Sequence, residues 1–82
     1  MPTYIDIHEL PGVKAGDVAS AHQADLSVQD RYGVNYRQYW VDEEGGRVFC
    51  LVDAPDREAA AQVHREAHGL IPDSIIEVRE GS

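Results

Sequence analysis

The chain has 82 residues, of which 43% are hydrophobic, and its seven basic and fifteen acidic side chains give a formal net charge of −8 at pH 7. This length predicts one domain, residues 1–82, and the hydrophobic content is enough for a folded core. The negative charge argues against binding to nucleic acid or to an anionic membrane, because both require basic side chains that neutralise phosphates. The negative charge does not exclude cations as ligands.

The hydrophobic pattern predicts four strands and two helices. In chain order they are a strand at 4–8, a helix at 17–32, strands at 34–41 and 48–52, a helix at 57–68 and a strand at 75–78. The strands alternate apolar and polar residues or form short apolar runs, whereas the helices repeat apolar residues every three to four positions. Gly69 follows the second helix, where glycine commonly ends a helix. The predicted core stripe of the first helix is Ala21, Ala24, Val28 and Tyr32.

The order β-α-β-β-α-β predicts an α+β fold, the ferredoxin-like βαββαβ sandwich. Right-handed crossovers and the apolar run at 48–52 indicate a four-stranded antiparallel sheet of order 4-1-3-2, with both helices on one face.

Cysteine content and the absence of long apolar stretches indicate the cellular compartment. Cys50 is the one cysteine, so an internal disulfide and a cysteine-based zinc finger are excluded. The first residues lack the basic start and apolar run of a signal peptide, and no stretch approaches the roughly 18 apolar residues of a membrane helix. We therefore expect a cytoplasmic protein.

The face of the sheet away from the helices is predicted to be an interface. Ile5 and Ile7 are expected to point to the helices, which places Tyr4, Asp6 and His8 on the open face. The two middle strands also carry large apolar residues at both odd and even positions, so some of these side chains must point to the open face. An open face with so many apolar side chains is rarely left exposed to water. The sequence predicts a homodimer through the open sheet face.

His64 and His68 are the first candidate metal ligands. They are four residues apart on the second helix, so they lie on one side of it, about 6 Å apart along the axis. Two imidazoles at this spacing can share one ion. Relative to Val63 at the centre of the core stripe, both are expected to flank the core. The alternative is an ordinary helix ending, with histidine stabilised as a cation by the helix dipole.

The predicted topology adds His8 and His22. The end of the first strand, the start of the first helix and the end of the second helix meet at one edge of this fold, and the four histidines lie at those points. His8 is harder to place at this site, because the alternation of β-strand side chains predicts that it points to the open face. Imidazoles with some carboxylate suit nickel, zinc or copper. Further candidate ligands are Asp6, Glu9, Asp25 and Cys50.

Two other classes of function remain as alternatives. The sequence contains no nucleophile beside a base, no phosphate loop and no dinucleotide fingerprint, so catalysis is not favoured. A cofactor-free enzyme or small-molecule binder of the dimeric α+β barrel type would use a cleft lined by Asp6, His8, Tyr36 or Trp40. A plain interaction module would use only the dimer face and leave the histidines on the surface.

The whole chain resembles the small bacterial nickel-binding proteins of ferredoxin-like fold, a family of unknown function. The matching stretches are IDIHELPG at 5–12, YW at 39–40, VFCLVDAP at 48–55, VHREAHGL at 63–70 and IIEV at 75–78. The resemblance implies a homodimer that binds nickel without catalysis. Together with the histidine spacing, it predicts a divalent-metal protein of sequestration or homeostasis, with His8, His22, His64 and His68 as the ligands.

Overall fold

The computed structural model describes residues 1–81. Its elements in chain order are β1 (Thr3–Glu9), α1 (Ala15–Val28), a short 3₁₀ helix (Gln29–Tyr32), β2 (Asn35–Asp42), β3 (Arg47–Asp53), α2 (Arg57–Ala67) and β4 (Ser74–Val78). The predicted order of strands and helices is confirmed. The predicted first helix extended to Tyr32, whereas α1 ends at Val28 and a 3₁₀ turn carries the chain to Gly33.

The four strands form one antiparallel sheet of order β2-β3-β1-β4, which is the predicted 4-1-3-2 order seen from the other edge. β1 and β3 are the two central strands, and the apolar run of β3 explains its central place. In their register Asp6 lies opposite Cys50 and His8 lies opposite Val48. The arrangement is the ferredoxin-like α+β fold.

The predicted orientation of β1 was wrong. Tyr4, Asp6 and His8 are buried on the side of the helices, and Ile5 and Ile7 lie on the open face. Directly opposed residues of antiparallel strands share a face, so β1 follows the buried side of β3. The two polar residues tolerate this burial because they find partners there, since Asp6 contacts a histidine of α2.

Large apolar side chains do cover the open face, although not the ones expected from β1. Cross-strand register places six of them together in an open-face patch, made of Ile5, Ile7, Trp40, Phe49, Leu51 and Ile76. Trp40 and Ile76 are 46% and 49% exposed, which is unusual for residues of their size.

The helices bury polar residues as well as apolar ones. In α1 the buried residues are Val18 and Asp25, rather than the predicted stripe, whose members at 21, 24, 28 and 32 are only half-buried. The polar Asp25 was missed because an apolar stripe is the only signal that periodicity carries. Neither helix among residues 1–81 has the length and apolar character needed to cross a bilayer.

The second helix has well-defined ends and a deeper histidine than expected. The Asp56 carboxylate accepts a hydrogen bond from the Ala59 amide and caps its start. Gly69, with φ of +79°, follows its end, as predicted. His64 was expected to flank the core, but only 1% of it is exposed. It enters the core because two carboxylates reach it there.

Candidate metal centre

All four histidines line one cleft between the sheet and the helices. β1 contributes His8, α1 contributes His22, α2 contributes His64, and His68 lies at the end of α2. This histidine cleft encloses about 440 Å³, including the solvent at its open mouth. Of the four residues expected to line a small-molecule cleft, His8 does so. Asp6 and Tyr36 are buried outside the lining, and Trp40 belongs to the open-face patch, so that part of the prediction was wrong.

His64 is the centre of the polar network. Its Nε2 lies 2.9 Å from Asp6 Oδ2, and its Nδ1 lies 2.9 Å from Asp25 Oδ1. The Nε2 of His8 lies 3.4 Å from the Nε2 of His64. One imidazole of α2 thus joins carboxylates of β1 and α1 that lie 58 and 39 residues away from it in the chain.

The two carboxylates change the charge that His64 prefers. Burial by itself lowers the pKa of His64, but hydrogen bonds to Asp25 and Asp6 outweigh it and raise the pKa to about 9. Burial would raise the pKa of Asp6, yet its contacts with His64, His8 and Tyr36 hold that pKa well below its usual range. The pKa of Asp25 is lowered in the same way, against burial, by His64 and His68. In the metal-free protein His64 is therefore an imidazolium between two carboxylates at neutral pH.

The first set of possible ligands, the inner group, consists of Asp6, His8, Cys50 and His64, whose ligand atoms all lie within 4.8 Å of one another. Asp6 Oδ1 is buried and has no hydrogen-bond partner among residues 1–81, although His8 Nε2 lies 3.2 Å away. Four ligands arranged tetrahedrally at bond lengths of about 2.1 Å stand about 3.4 Å apart. The 3.4 Å between the two Nε2 atoms matches that spacing, so the inner group fits a transition-metal ion.

Cys50 completes the inner group only after it loses a proton. Burial, followed by the charge of Asp6, raises the pKa of its thiol well above the usual range. A metal ion reverses this preference, because a coordinated thiol is deprotonated.

The second set, the outer group, consists of Asp25, His64 and His68. His68 Nε2 lies 3.1 Å from Asp25 Oδ1. The Leu70 amide donates a hydrogen bond of 3.1 Å to His68 Nδ1, so neutral His68 carries its proton on Nε2. An ion at Nε2 would move that proton to Nδ1, where it would face the Leu70 N–H. The outer group is therefore better suited to hydrogen bonding than to ligation.

The outer group instead supports the inner one. A metal-bound histidine usually donates its second N–H to a carboxylate, which fixes its tautomer and orientation. His64 Nδ1 has that partner in Asp25 Oδ1, which leaves Nε2 facing Asp6 and His8. Tyr36 adds a further contact that the sequence did not suggest, since its hydroxyl donates to Asp6 Oδ2 over 2.7 Å.

The remaining candidates lie outside both groups. His22 is half-buried in the cleft wall, with its ring 4.9 Å from that of Tyr39 between centroids. Glu9 is exposed at the end of β1. The structure thus brings His8 and His64 together, places His68 one hydrogen bond away, and adds Asp6, Asp25 and Cys50.

Two comparisons give matches to known proteins. The model of one protein family, described as "Nickel responsive protein SCO4226-like", matches residues 4–78. The crystal structure of SCO4226 from Streptomyces coelicolor A3(2) is similar, with 34% sequence identity and a TM-score of 0.90, over 98% of this chain and 99% of that one. No curated protein matches the chain. These matches confirm the resemblance that the sequence motifs indicated.

Proposed function

We propose that this chain, which belongs to the SCO4226-like family of nickel responsive proteins, binds a divalent transition-metal ion at the inner group, with nickel as the first candidate. The observation that carries the proposal is Asp6 Oδ1, a buried anionic oxygen near the Nε2 of His8 that has no hydrogen-bond donor in the described part of the chain. Such an atom costs free energy unless a cation compensates it.

The donor set supports the choice of metal. Imidazole nitrogen, carboxylate oxygen and one thiolate suit nickel, zinc and copper, and the name of the family points to nickel among them. Asp6, His8 and His64 are the proposed ligands, with Cys50 as the fourth. His68 supports His64 through Asp25, and His22 forms the wall of the cleft. A cytoplasmic protein that holds nickel for sequestration or homeostasis, without catalysis, fits the buried free thiol and the charge of −8.

Nickel titration of tag-free, chelator-treated protein tests the site. We expect the wild type to bind with a Kd of about 10 μM or tighter, and His8→Ala to bind at least about 100-fold more weakly, because it removes a ligand. His22→Ala is the matched control, since it removes a histidine of the same cleft that belongs to neither group. Isothermal titration, repeated with zinc and copper, gives the affinities. A wild-type Kd above about 1 mM, or equal losses in both variants, would contradict the proposal.

The second part of the proposal is a homodimer through the open-face patch. Six large apolar side chains form a continuous surface there, and Trp40 near one edge is 46% exposed. A domain of this size buries only about two thirds of its unfolded surface, so a second copy on the patch would enlarge a small core. A two-fold axis through the sheet would bring the same apolar residues of both copies together.

Light scattering after size exclusion tests the dimer. The wild type is expected to have a mass of roughly 18 kDa, twice its 9.1 kDa, at micromolar concentration. Trp40→Lys should shift it to the monomer, because a charge is buried at the interface. Leu26→Lys is the control, since Leu26 is an exposed apolar residue of α1, away from the sheet face. A wild-type monomer, or a Trp40→Lys dimer, would refute the interface.

A further inference from the structure

The two oxygens of the Asp6 carboxylate have different surroundings. Oδ1 has no hydrogen-bond donor among residues 1–81 and lies 3.2 Å from the Nε2 of His8. Oδ2 accepts a hydrogen bond of 2.7 Å from the hydroxyl of Tyr36 and lies 2.9 Å from the Nε2 of His64. The proposed metal site uses one oxygen of this residue, and within the described chain Oδ1 is the one without a donor.

Tyr36 is held firmly in one position beside this carboxylate. It lies in β2, and only 2% of it is exposed. Its ring packs against the ring of His64, with 4.5 Å between the centroids. Its hydroxyl oxygen lies 3.0 Å from the carbonyl oxygen of Ala60, about one helical turn before His64 in α2. A side chain confined in this way cannot follow the carboxylate if that group turns, so the hydroxyl fixes the direction in which Oδ1 points.

Metal binding increases the importance of the Tyr36 hydroxyl. In the metal-free protein Oδ2 of Asp6 has two donors beside it, the hydroxyl of Tyr36 and the Nε2 of His64. An imidazole nitrogen that binds an ion carries no hydrogen, so His64 cannot donate to Oδ2 once its Nε2 is a ligand. Within residues 1–81 the hydroxyl is then the remaining donor to a buried oxygen. Its removal should therefore cost more in the metal-bound protein than in the metal-free protein.

We propose that Tyr36 is a positioning residue for the metal site, whose hydroxyl occupies Oδ2 of Asp6 so that the carboxylate binds the ion through Oδ1 alone. The inference rests on the proposed metal function and gives Tyr36 a role in it that is separate from ligation. Carboxylates that bind metals are themselves held by hydrogen bonds, and the loss of such a bond typically weakens metal binding by about 10–100-fold.

Tyr36→Phe tests this role, because it removes the hydroxyl and keeps the ring against His64. In isothermal titration of tag-free, chelator-treated protein we expect nickel to bind the variant about 10–100-fold more weakly than the wild type. Tyr32→Phe is the matched control. It removes a hydroxyl that also donates to a carboxylate, that of Glu66 outside both groups of ligands, and it should leave the affinity unchanged.

The titration distinguishes the failure of this inference from the failure of the metal function. Equal nickel affinity in the wild type and in Tyr36→Phe, or an equal loss in Tyr36→Phe and Tyr32→Phe, would overturn the role of Tyr36 and leave the metal site in place. A wild type that binds no nickel would instead remove the metal function, and the positioning role with it.

Urea denaturation with and without nickel separates positioning from a purely structural role. A structural role would lower the denaturation midpoints of the metal-free and nickel-saturated protein by the same amount. Positioning predicts that nickel raises the midpoint of Tyr36→Phe less than that of the wild type, because the variant binds the ion more weakly. Equal increases in the two proteins would overturn the proposal.

Infrared spectroscopy of the wild type tests the same proposal even if Tyr36→Phe does not fold. The antisymmetric and symmetric stretching bands of a carboxylate are farther apart when one oxygen binds a metal than when both do. Asp6 is the one aspartate among the proposed ligands, so its bands should dominate the nickel-induced difference spectrum of protein with ¹³C-labelled aspartate carboxyl groups. We expect the wide separation of a carboxylate bound through one oxygen. The narrow separation of a bidentate carboxylate would overturn the proposal.

Discussion

His64→Ala is expected to lower the free energy of unfolding of the metal-free protein by about 3–5 kcal/mol, the loss typical of breaking a buried ion pair from one side. The substitution leaves Asp6 and Asp25 as buried carboxylates without the imidazolium between them. A chain of this length has a total stability of about 4–12 kcal/mol. The variant should therefore keep only part of the wild-type stability, and urea denaturation measures the difference.

The pH dependence identifies the cause of this loss. In the wild type the lowered pKa values of Asp6 and Asp25 contribute stability above their ordinary values of 3.8, and that stability is lost as the pH falls. In the variant the unpartnered carboxylates gain by taking up protons, so the two proteins should approach each other below about pH 4. His22→Ala, in the same cleft, should cost less than about 1 kcal/mol. A loss of that small size in His64→Ala would exclude the buried network as a major source of stability.

The sequence was sufficient to predict the order of the elements and their arrangement in the sheet. Strand and helix periodicities differ clearly in this chain, Gly69 follows the second helix, and the short apolar run of β3 fits a central strand. Once the order of elements is known, right-handed connections leave few arrangements of the sheet. The meeting of the four histidines at one cleft followed from that topology, because it depends on which ends of the elements coincide rather than on side-chain contacts.

The sequence did not predict how deeply the polar residues are buried. An alternating strand has two faces, and the choice between them rests on the assumption that polar residues point outward. Asp6 and His8 violate it, because their partner His64 lies more than fifty residues away in the chain. Asp25 violates it as well, because its partner His64 lies 39 residues away. A buried network of this kind has no local signature, since each member looks like a solvated residue until the others are placed around it.

The two nitrogens of His64 have different tasks in the proposed site. Nδ1 keeps its proton and donates a hydrogen bond to Asp25, whether or not a metal is bound. Nε2 donates a hydrogen bond to Asp6 in the metal-free protein, and it must release its proton before it can ligate an ion. Metal and proton therefore compete for one nitrogen, and either of them supplies the positive charge that Asp6 requires.

Nickel affinity is consequently expected to increase with pH well above the ordinary titration range of histidine. The raised pKa of about 9 means that His64 holds the competing proton up to that pH. One displaced proton gives about a tenfold gain in affinity for each pH unit, or about 100-fold between pH 6.5 and 8.5. A histidine with an ordinary pKa near 6.5 would give nearly constant affinity over the same interval.

The slope also shows whether Cys50 ligates the ion. The pKa of the thiol is raised by burial, so thiolate ligation would release a second proton and bring the gain to about 100-fold for each pH unit. Cys50→Ser removes that second proton and isolates the contribution of His64. Titrations against a nickel-buffering chelator give the slope, and titrations in buffers of different ionisation enthalpy count the protons released. An affinity that is already constant above pH 7 in the Cys50→Ser protein would mean that no proton is displaced from His64, and hence that the ion does not bind at its Nε2.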